Sequence, residues 1–312
     1  MSKKVIVTAA VHPFLLATLE QKGFEICFEP TITYDQLSHQ ISDAVGLIVT
    51  TRLSIDAKMI EAAKALKWIG RLGSGMELID TDLAQSKGIL CVSSPEGNCT
   101  AVGEHSLGLL LNLMHRIHRA YGAIKMGQWI RDENRGDELT GKKVGIIGFG
   151  HTGTAFAKVL TGFGAELLAH DIHPNALGFQ QFPQAKMVTL DTVQQEAEVI
   201  SLHLPLTPLT KHFANTHFFE QLKQQPYFLS TCRGGVTSTQ ALLEALQNQQ
   251  IRGAGLDVIE NERLDSYSQD EKANLEALMA LPNFILTPHI AGYSQEAYFK
   301  MSKILLEKLG LI

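Results

Sequence analysis

A glycine-rich stretch beginning at Gly148 has the residue types and spacing of a phosphate-binding turn. It reads GFGHTG, follows the apolar run KKVGII and precedes the helical pattern TAFAKVL. In a strand–turn–helix unit, glycines at this spacing allow a tight turn and a close approach of a pyrophosphate to the backbone. The free N–H groups and the dipole of the following helix favour that anion. The pattern therefore predicts a dinucleotide site that includes Gly148, Gly150 and Gly153.

An acidic residue, Asp171, stands at the end of the next predicted strand. Its carboxylate would accept hydrogen bonds from the hydroxyls of an adenosine ribose and would repel a 2′-phosphate. This predicts NAD as the cofactor in preference to NADP. The alternatives are a nucleotide turn of the methyltransferase type and a fold of this kind that binds no nucleotide.

Two segments that begin with Lys-Lys show which elements position this turn. KKVIVTAAVHPFLLATLEQKGFEI and KKVGIIGFGHTGTAFAKVLTGFGAEL both follow the order strand, turn, helix, glycine, strand. Such alternation predicts an α/β fold with two doubly wound, Rossmann-like parallel-sheet domains. Only the second segment has glycines in its first turn, so only this domain can hold a phosphate closely.

Short apolar runs predict the strands of both sheets. In the first domain they start at Val5 and continue at residues 25–28, 46–50, 68–71 and 90–92. In the second domain they lie at residues 143–147, 166–170, 199–203, 227–230, 253–257 and 284–287. A single long helix is predicted over residues 101–125, with an apolar stripe suited to packing between domains or subunits. A last helix, residues 295–309, is expected to return to the first domain.

Composition and charge exclude several classes of partner. The formal charge is only −5, with 19% charged residues, so non-specific binding to nucleic acid is not expected. No apolar run approaches the ~20 residues of a membrane helix, and we expect a cytoplasmic protein. The four cysteines show no C-x-x-C spacing. His115 and His118 lack an evident third ligand, so no metal site is expected.

Five further motifs accompany the glycine-rich turn: GRLGSGMELID, NCTAVGEHSLGLLL, LSTCRGGVTSTQALLEAL, IRGAGLDVIENE and LTPHIAGYS. Together they resemble the D-isomer-specific 2-hydroxyacid dehydrogenase family, in the family's order and over nearly the whole chain. The resemblance implies a flavodoxin-like substrate domain made of residues 1–98 plus 288–312. An NAD-binding Rossmann domain, residues 99–287, would be inserted within it, with the active site in the cleft between them.

The resemblance also implies a catalytic trio: Arg233, Glu262 and His289. Arg233 would grip the substrate carboxylate through two parallel N–H bonds. His289 would exchange a proton with the substrate hydroxyl while hydride passes between C2 and the nicotinamide. Glu262 would bond the other ring nitrogen of His289 and fix its tautomer.

Further contacts are implied by the same resemblance. Backbone groups of His151 and Thr152 would bind the pyrophosphate, and backbone N–H groups of Ser74 and Gly75 would bind the substrate carboxylate. The remaining cofactor-binding residues implied are Leu204, Thr231, Asp257 and Gly292.

The chain departs from the family pattern next to Glu262. This residue is followed by Arg263, where the family usually has proline, and residues 263–280 include an unusually long polar stretch. Glu260 is therefore a rival for the acidic role.

The expected substrate is a small anionic 2-hydroxy or 2-keto acid. The short form resembles members assigned to 3-phosphoglycerate oxidation, in which arginine commonly occupies the position of Thr50. Here Arg52 lies nearby and is the candidate substrate ligand. Arg131 and Arg135 could add positive charge or could be solvated surface groups. Reduction of glyoxylate or hydroxypyruvate is an alternative.

The long helix and the family resemblance together predict a homodimer. An NAD-sensing interaction protein is an alternative function from another class, although the chain lacks a basic region and long flanks of disordered composition. A different NAD enzyme on this fold, such as an amino-acid dehydrogenase, would need a lysine near the nicotinamide in place of the trio.

Overall fold

A computed structural model describes residues 3–312 of the chain. The chain divides into two compact units, Met1–Cys99 with Tyr293–Ile312, and Thr100–Gly292. The expected boundaries lie after residues 98 and 287. The two units of the structure divide after Cys99 and after Gly292, so His289 belongs to the second unit. Residues 1 and 2, with which the expected first domain begins, lie outside the described residues.

The first unit contains a five-stranded parallel sheet with the order β2-β1-β3-β4-β5. Its strands are β1 (Lys4–Val7), β2 (Glu25–Phe28), β3 (Gly46–Val49), β4 (Trp68–Arg71) and β5 (Leu90–Ser93). Its first helices are α1 (Pro13–Gln21), α2 (Tyr34–Gln40), α3 (Ala57–Ala62) and α4 (Thr81–Ser86). The central strand β3 is buried along its whole length, which explains its uninterrupted apolar sequence GLIV.

The single helix predicted over residues 101–125 is wrong, because two helices cover this region. They are α5 (Pro95–Met114) and α6 (Ile117–Lys125). Between them Arg116 has a left-handed backbone conformation, with φ 53°. The side-chain oxygen of Asn112 then accepts the backbone N–H of His118 at 2.8 Å, which gives the new helix a hydrogen-bond partner at its start. The apolar periodicity continues through the break between the two helices, so the sequence pattern does not reveal the break.

The second unit contains a seven-stranded parallel sheet with the order β12-β11-β10-β9-β6-β7-β8. Its strands are β6 (Lys143–Ile147), β7 (Glu166–His170), β8 (Lys186–Met187), β9 (Val199–Leu202), β10 (Tyr227–Ser230), β11 (Gly253–Leu256) and β12 (Phe284–Leu286). Its other helices are α7 (His151–Leu160), α8 (Leu177–Gln181), α9 (Leu190–Glu196), α10 (Thr216–Glu220), α11 (Thr239–Gln247) and α12 (Gln269–Met279). Two parallel α/β sheets confirm the predicted fold class. The strand order reverses between the neighbours β6 and β9, and such a switch point is where open α/β sheets bind ligands.

The polar stretch after Glu262 is structured, because most of it forms α12. Ser268 caps this helix, and its hydroxyl and the carboxylate of Glu271 form a reciprocal capping box. Leu278 is fully buried and joins the core of the second unit. The stretch is therefore part of the packed domain.

The chain ends in α13 (Gln295–Lys308), which returns to the first unit as expected. Leu305 and Leu306 are fully buried in the same apolar cluster as Leu15 of α1. Lys308 Nζ contacts both carboxylate oxygens of Glu96 at 2.8 Å.

Short 3-10 turns lie at Ile41–Asp43, Asp132–Asn134, Thr161–Phe163, Gly234–Val236 and Leu264–Ser266. Within residues 3–312, none of the helices has both the length and the apolar character needed to cross a bilayer.

Candidate active site

The three residues expected to act in catalysis follow three neighbouring strands of the second unit. Arg233 follows β10, Glu262 follows β11 and His289 follows β12. These strands pair in parallel, so their carboxyl ends lie at one edge of the sheet. The topology therefore brings to one edge residues that lie far apart in the sequence.

His289 and Glu262 form a hydrogen-bonded pair. The imidazole Nδ1 lies 2.9 Å from each carboxylate oxygen of Glu262. An ionised carboxylate can only accept a hydrogen bond, so Nδ1 is the donor in this pair, and in the neutral imidazole Nε2 then has the free lone pair. Their side chains are 35% and 43% exposed, so the pair is open to solvent. This arrangement can accept a proton from a substrate and return it.

Asp257 holds the backbone around His289 through hydrogen bonds. His289 has φ 55°, and its N–H donates to the carbonyl of Asp257 at 2.8 Å. The buried carboxylate of Asp257 accepts the hydroxyl of Thr287 at 2.5 Å and the N–H groups of Ile290 and Ala291 at 2.9 and 2.7 Å. Asp257 was expected to contact the cofactor, and the structure places its carboxylate beneath the loop that carries His289.

Helix α5 contributes polar residues that the sequence reasoning missed. His105 Nε2 lies 2.9 Å from the Thr287 hydroxyl and 3.6 Å from Asp257 Oδ1. The neighbouring Ser106 hydroxyl lies 3.1 Å from the hydroxyl of Thr231, an expected cofactor ligand that follows β10. The adjacent pair His105-Ser106, directly before the apolar run LGLLL, is the signal that could have indicated this network.

The turn that carries Arg233 is packed closely against the segment after β11. The Arg233 guanidinium donates to the carbonyl of Cys232 at 2.7 Å. The next residue, Gly234, lies against the backbone of Ile259, and a Cβ at this position would collide with that carbonyl oxygen. The glycine after Arg233 is therefore a packing requirement.

The structure separates the roles of the two candidate glutamates. Glu260 Oε1 lies 2.6 Å from His212 Nε2, and its Oε2 accepts the N–H of Thr239 at 2.6 Å. Glu262 alone of the two contacts His289.

The glycine-rich turn after β6 has the shape of an anion cradle. Gly148 has φ 89° and lies against the end of β9, where a Cβ would be 2.5 Å from the carbonyl oxygen of His203. A Cβ on Gly153 would collide with the carbonyl oxygen of Gly148. Beside Gly150, by contrast, a Cβ would meet only open space. Gly150 caps α7 without a side-chain bond, and His151 and Thr152 form the first turn of the helix. An open space over a helix N-terminus fits a pyrophosphate.

Asp171 lies beside this turn, directly after β7. Its Oδ2 accepts the N–H of Phe149 at 2.8 Å and its Oδ1 accepts the N–H of His173 at 2.9 Å. Each carboxylate oxygen can accept a further hydrogen bond, so the group fits ribose hydroxyls. Leu204 is half-buried and follows β9 at the same edge of the sheet. Gly292, half-buried, ends the second unit three residues after His289.

The expected substrate ligands of the first unit lie at the carboxyl edge of its own sheet. Arg52 follows β3, and its guanidinium donates to the carbonyls of Ile32 at 2.6 Å and Thr8 at 2.7 Å. Ser74 and Gly75 follow β4 and are half-buried. Arg52 thus braces two loops and keeps its positive charge there.

The other two arginines proposed as phosphate ligands, Arg131 and Arg135, are both exposed residues of the second unit. Arg135 pairs with Asp132 at 3.1 Å.

Comparison with known proteins identifies the family of this chain. Residues 107–291 match the family model described as D-isomer specific 2-hydroxyacid dehydrogenase, NAD binding domain. The chain is 32% identical over 306 residues to a D-3-phosphoglycerate dehydrogenase of Methanocaldococcus jannaschii, covering 98% of this chain and 56% of that protein. It thus spans little more than half the length of that relative. It is 35% identical over 275 residues to a hydroxypyruvate reductase of Thermotoga maritima, covering 88% and 87% of the two chains.

A solved structure is similar to this chain along nearly its whole length. The D-lactate dehydrogenase of Aquifex aeolicus, complexed with NAD and lactic acid, superposes with a TM-score of 0.84 at 25% identity. The match covers 98% of this chain and 94% of that one. The chain therefore belongs to the D-isomer specific 2-hydroxyacid dehydrogenase family, and its second unit contains the family's NAD-binding domain.

Proposed function

We propose that this protein is an NAD-dependent dehydrogenase that interconverts a small D-2-hydroxy acid and the matching 2-keto acid. The observation that carries the proposal is the His289–Glu262 pair, with Nδ1 2.9 Å from the carboxylate, at the sheet edge that also holds Arg233. The glycine-rich turn and Asp171 lie at the same edge, where they fit NAD.

The chemistry follows from the protonation states of the pair. Bound NAD supplies the acceptor for the hydride that leaves C2. His289 Nε2 accepts the hydroxyl proton as the C2–O bond becomes a carbonyl, and it returns this proton when the reaction runs in reverse. Glu262 stabilises the imidazolium formed, because the carboxylate already accepts the Nδ1 proton. Arg233 holds the substrate carboxylate through paired N–H donors.

For the substrate we propose 3-phosphoglycerate as the first candidate, because Arg52 provides a fixed positive charge and one relative is a D-3-phosphoglycerate dehydrogenase. Unphosphorylated D-glycerate is the matched alternative. Reduction of hydroxypyruvate or glyoxylate is a further alternative, supported by the hydroxypyruvate reductase relative.

A turnover panel tests this function. We expect NADH formation when the protein and NAD are mixed with D-3-phosphoglycerate, D-glycerate or D-lactate, and NADH consumption with hydroxypyruvate, glyoxylate or pyruvate. The L-enantiomer of each hydroxy acid is the control and should be inactive. A preference between 3-phosphoglycerate and glycerate identifies the substrate class. If NAD binds but no acid reacts in either direction, the proposed activity is refuted and an NAD-sensing interaction protein is favoured.

We also propose that two copies of this chain form a homodimer through α6. Ile117, Tyr121 and Ile124 lie on one face of this helix, at spacings of four and three residues, and are 54%, 65% and 49% exposed. A row of large apolar side chains in water is typical of a protein–protein contact.

A further inference from the structure

A second histidine–carboxylate pair, His212 with Glu260, lies in the second unit and takes no part in the chemistry above. The imidazole Nε2 and the carboxylate Oε1 are 2.6 Å apart, and the side chains are 43% and 33% exposed. The other carboxylate oxygen accepts the N–H of Thr239 at 2.6 Å, where α11 begins. One carboxylate thus connects the segment after β11 to two other elements.

The His212 side of this pair is attached to the turn that carries Arg233. The backbone N–H of His212 donates to the carbonyl of Gly235 at 2.8 Å. The N–H of Ala214 donates to the carbonyl of Val236 at 3.1 Å, so the two segments run side by side. His212 itself has φ 51°, a conformation that this pairing maintains.

The same turn touches the Glu260 segment directly, because Gly234 leaves no room between its backbone and that of Ile259. A movement of Glu260 would therefore displace the Arg233 turn as well as its own segment. Interiors packed this closely transmit small shifts.

The residue between the two glutamates is anchored on another side. The Tyr267 hydroxyl donates to the carbonyl of Asn261 at 2.6 Å, and Asn261 Nδ2 donates to Glu271 Oε1 at 3.1 Å. Glu262 thus follows two consecutive residues that are both held by side-chain hydrogen bonds. The polar stretch that departs from the family pattern supplies the second of these anchors.

We propose that Glu260 is a positioning residue, which acts through His212 and the Thr239 N–H to hold Glu262 against His289 and the Arg233 turn in place. The inference rests on the proposed function. Because the pair is partly exposed, water can replace its bonds at a small cost in stability. A displacement of about 1 Å in a catalytic group, however, can cost on the order of 100-fold in rate. The pair therefore matters for activity far more than for folding.

Three variants test this role with the best substrate of the panel. Glu260→Ala removes both bonds, whereas Glu260→Gln keeps an acceptor for the Thr239 N–H. His212→Asn removes the imidazole but tolerates the left-handed backbone at this position. We expect kcat/KM to fall at least about tenfold in Glu260→Ala and His212→Asn, and less in Glu260→Gln. NAD affinity and the unfolding temperature should stay close to those of the wild type.

The double variant Glu260→Ala/His212→Asn should lose no more activity than either single variant, since one interaction is removed. Glu276→Gln, in which an exposed carboxylate of α12 is neutralised, is the matched control and should change none of these quantities.

A readout independent of turnover separates this inference from the proposed function. The Nδ1 proton of His289 should give an NMR resonance in the wild type, assigned by its absence in His289→Asn. It should be lost or shifted in Glu260→Ala even if no substrate of the panel reacts. Wild-type kcat/KM together with an unchanged resonance in folded Glu260→Ala and His212→Asn would overturn the positioning role. An inactive wild type with a resonance that responds to Glu260→Ala refutes only the proposed function.

Discussion

His203 is a buried histidine immediately after β9, beside the glycine-rich turn. Its Nε2 lies 2.9 Å from the Ser201 hydroxyl, and among the described residues its Nδ1 has no hydrogen-bond partner. Burial lowers the pKa of this imidazole to about 3, from an ordinary value of 6.5. The side chain therefore stays neutral at any pH at which the enzyme would work, and it acts as part of the packing.

This burial predicts a loss of stability in acid. Below pH 6.5 the unfolded chain binds a proton at His203 that the native protein does not bind, so stability present at neutral pH falls as the pH is lowered toward 3. At a pH two units below 6.5 the loss from this residue is about 2–3 kcal/mol. Urea unfolding of the wild type and His203→Gln at neutral and acid pH measures it. The variant should lose about 2 kcal/mol less on acidification.

His217→Gln is the control for this measurement, since His217 is exposed. It should behave as the wild type does. Equal acid losses in wild type and His203→Gln would contradict the assigned cause.

At the scale of elements, the turn from β6 into α7 gives the sharpest test of the cofactor site. Gly150→Ala places a methyl group in open space, so the fold should tolerate it. The same space is where the pyrophosphate is expected, so NAD affinity should fall by tenfold or more, or about 1.4 kcal/mol. Calorimetric titration with NAD and a thermal unfolding midpoint distinguish these two effects.

Gly162→Ala is the matched control, because a Cβ at Gly162 also meets open space but lies in a different turn. Its NAD affinity should equal that of the wild type. Unchanged affinity in Gly150→Ala would place the pyrophosphate elsewhere.

The elements differ in how well the sequence predicted them. The buried strands β4, β6, β7 and β10 have the predicted limits, because a parallel strand covered on both faces must be a continuous apolar run between turns. The break between α5 and α6 was missed, because it depends on a hydrogen bond from Asn112 and on the conformation of Arg116. Neither feature changes the apolar period.

At the scale of the whole molecule, the proposed homodimer predicts a response to charge on α6. The wild type should sediment as a dimer at micromolar concentration, and Ile124→Glu should sediment as a monomer, because burying an unpaired carboxylate in an apolar contact is costly. Leu209→Glu is the control, since Leu209 is 86% exposed in a loop outside α6. A wild-type monomer, or an Ile124→Glu dimer, would refute the interface.

The sequence by itself determined the fold class, the family and the residue types of the candidate site. These predictions rest on local patterns: the strand periodicity, the glycine spacing beginning at Gly148 and the acidic Asp171. Patterns among residues close in sequence can be recognised without knowing the fold. The order of the motifs indicated the family, and the comparisons with known proteins confirm that family.

Only the tertiary structure decided which partners meet. In the structure His289 contacts Glu262, whereas Glu260 contacts His212. The carboxylate of Asp257 accepts N–H groups of the loop that carries His289, and the guanidinium of Arg52 donates to two backbone carbonyls. These partners are distant in sequence and become neighbours only when parallel strands bring their carboxyl ends together. A hydrogen bond has a length and a direction, and no spacing along a chain contains either.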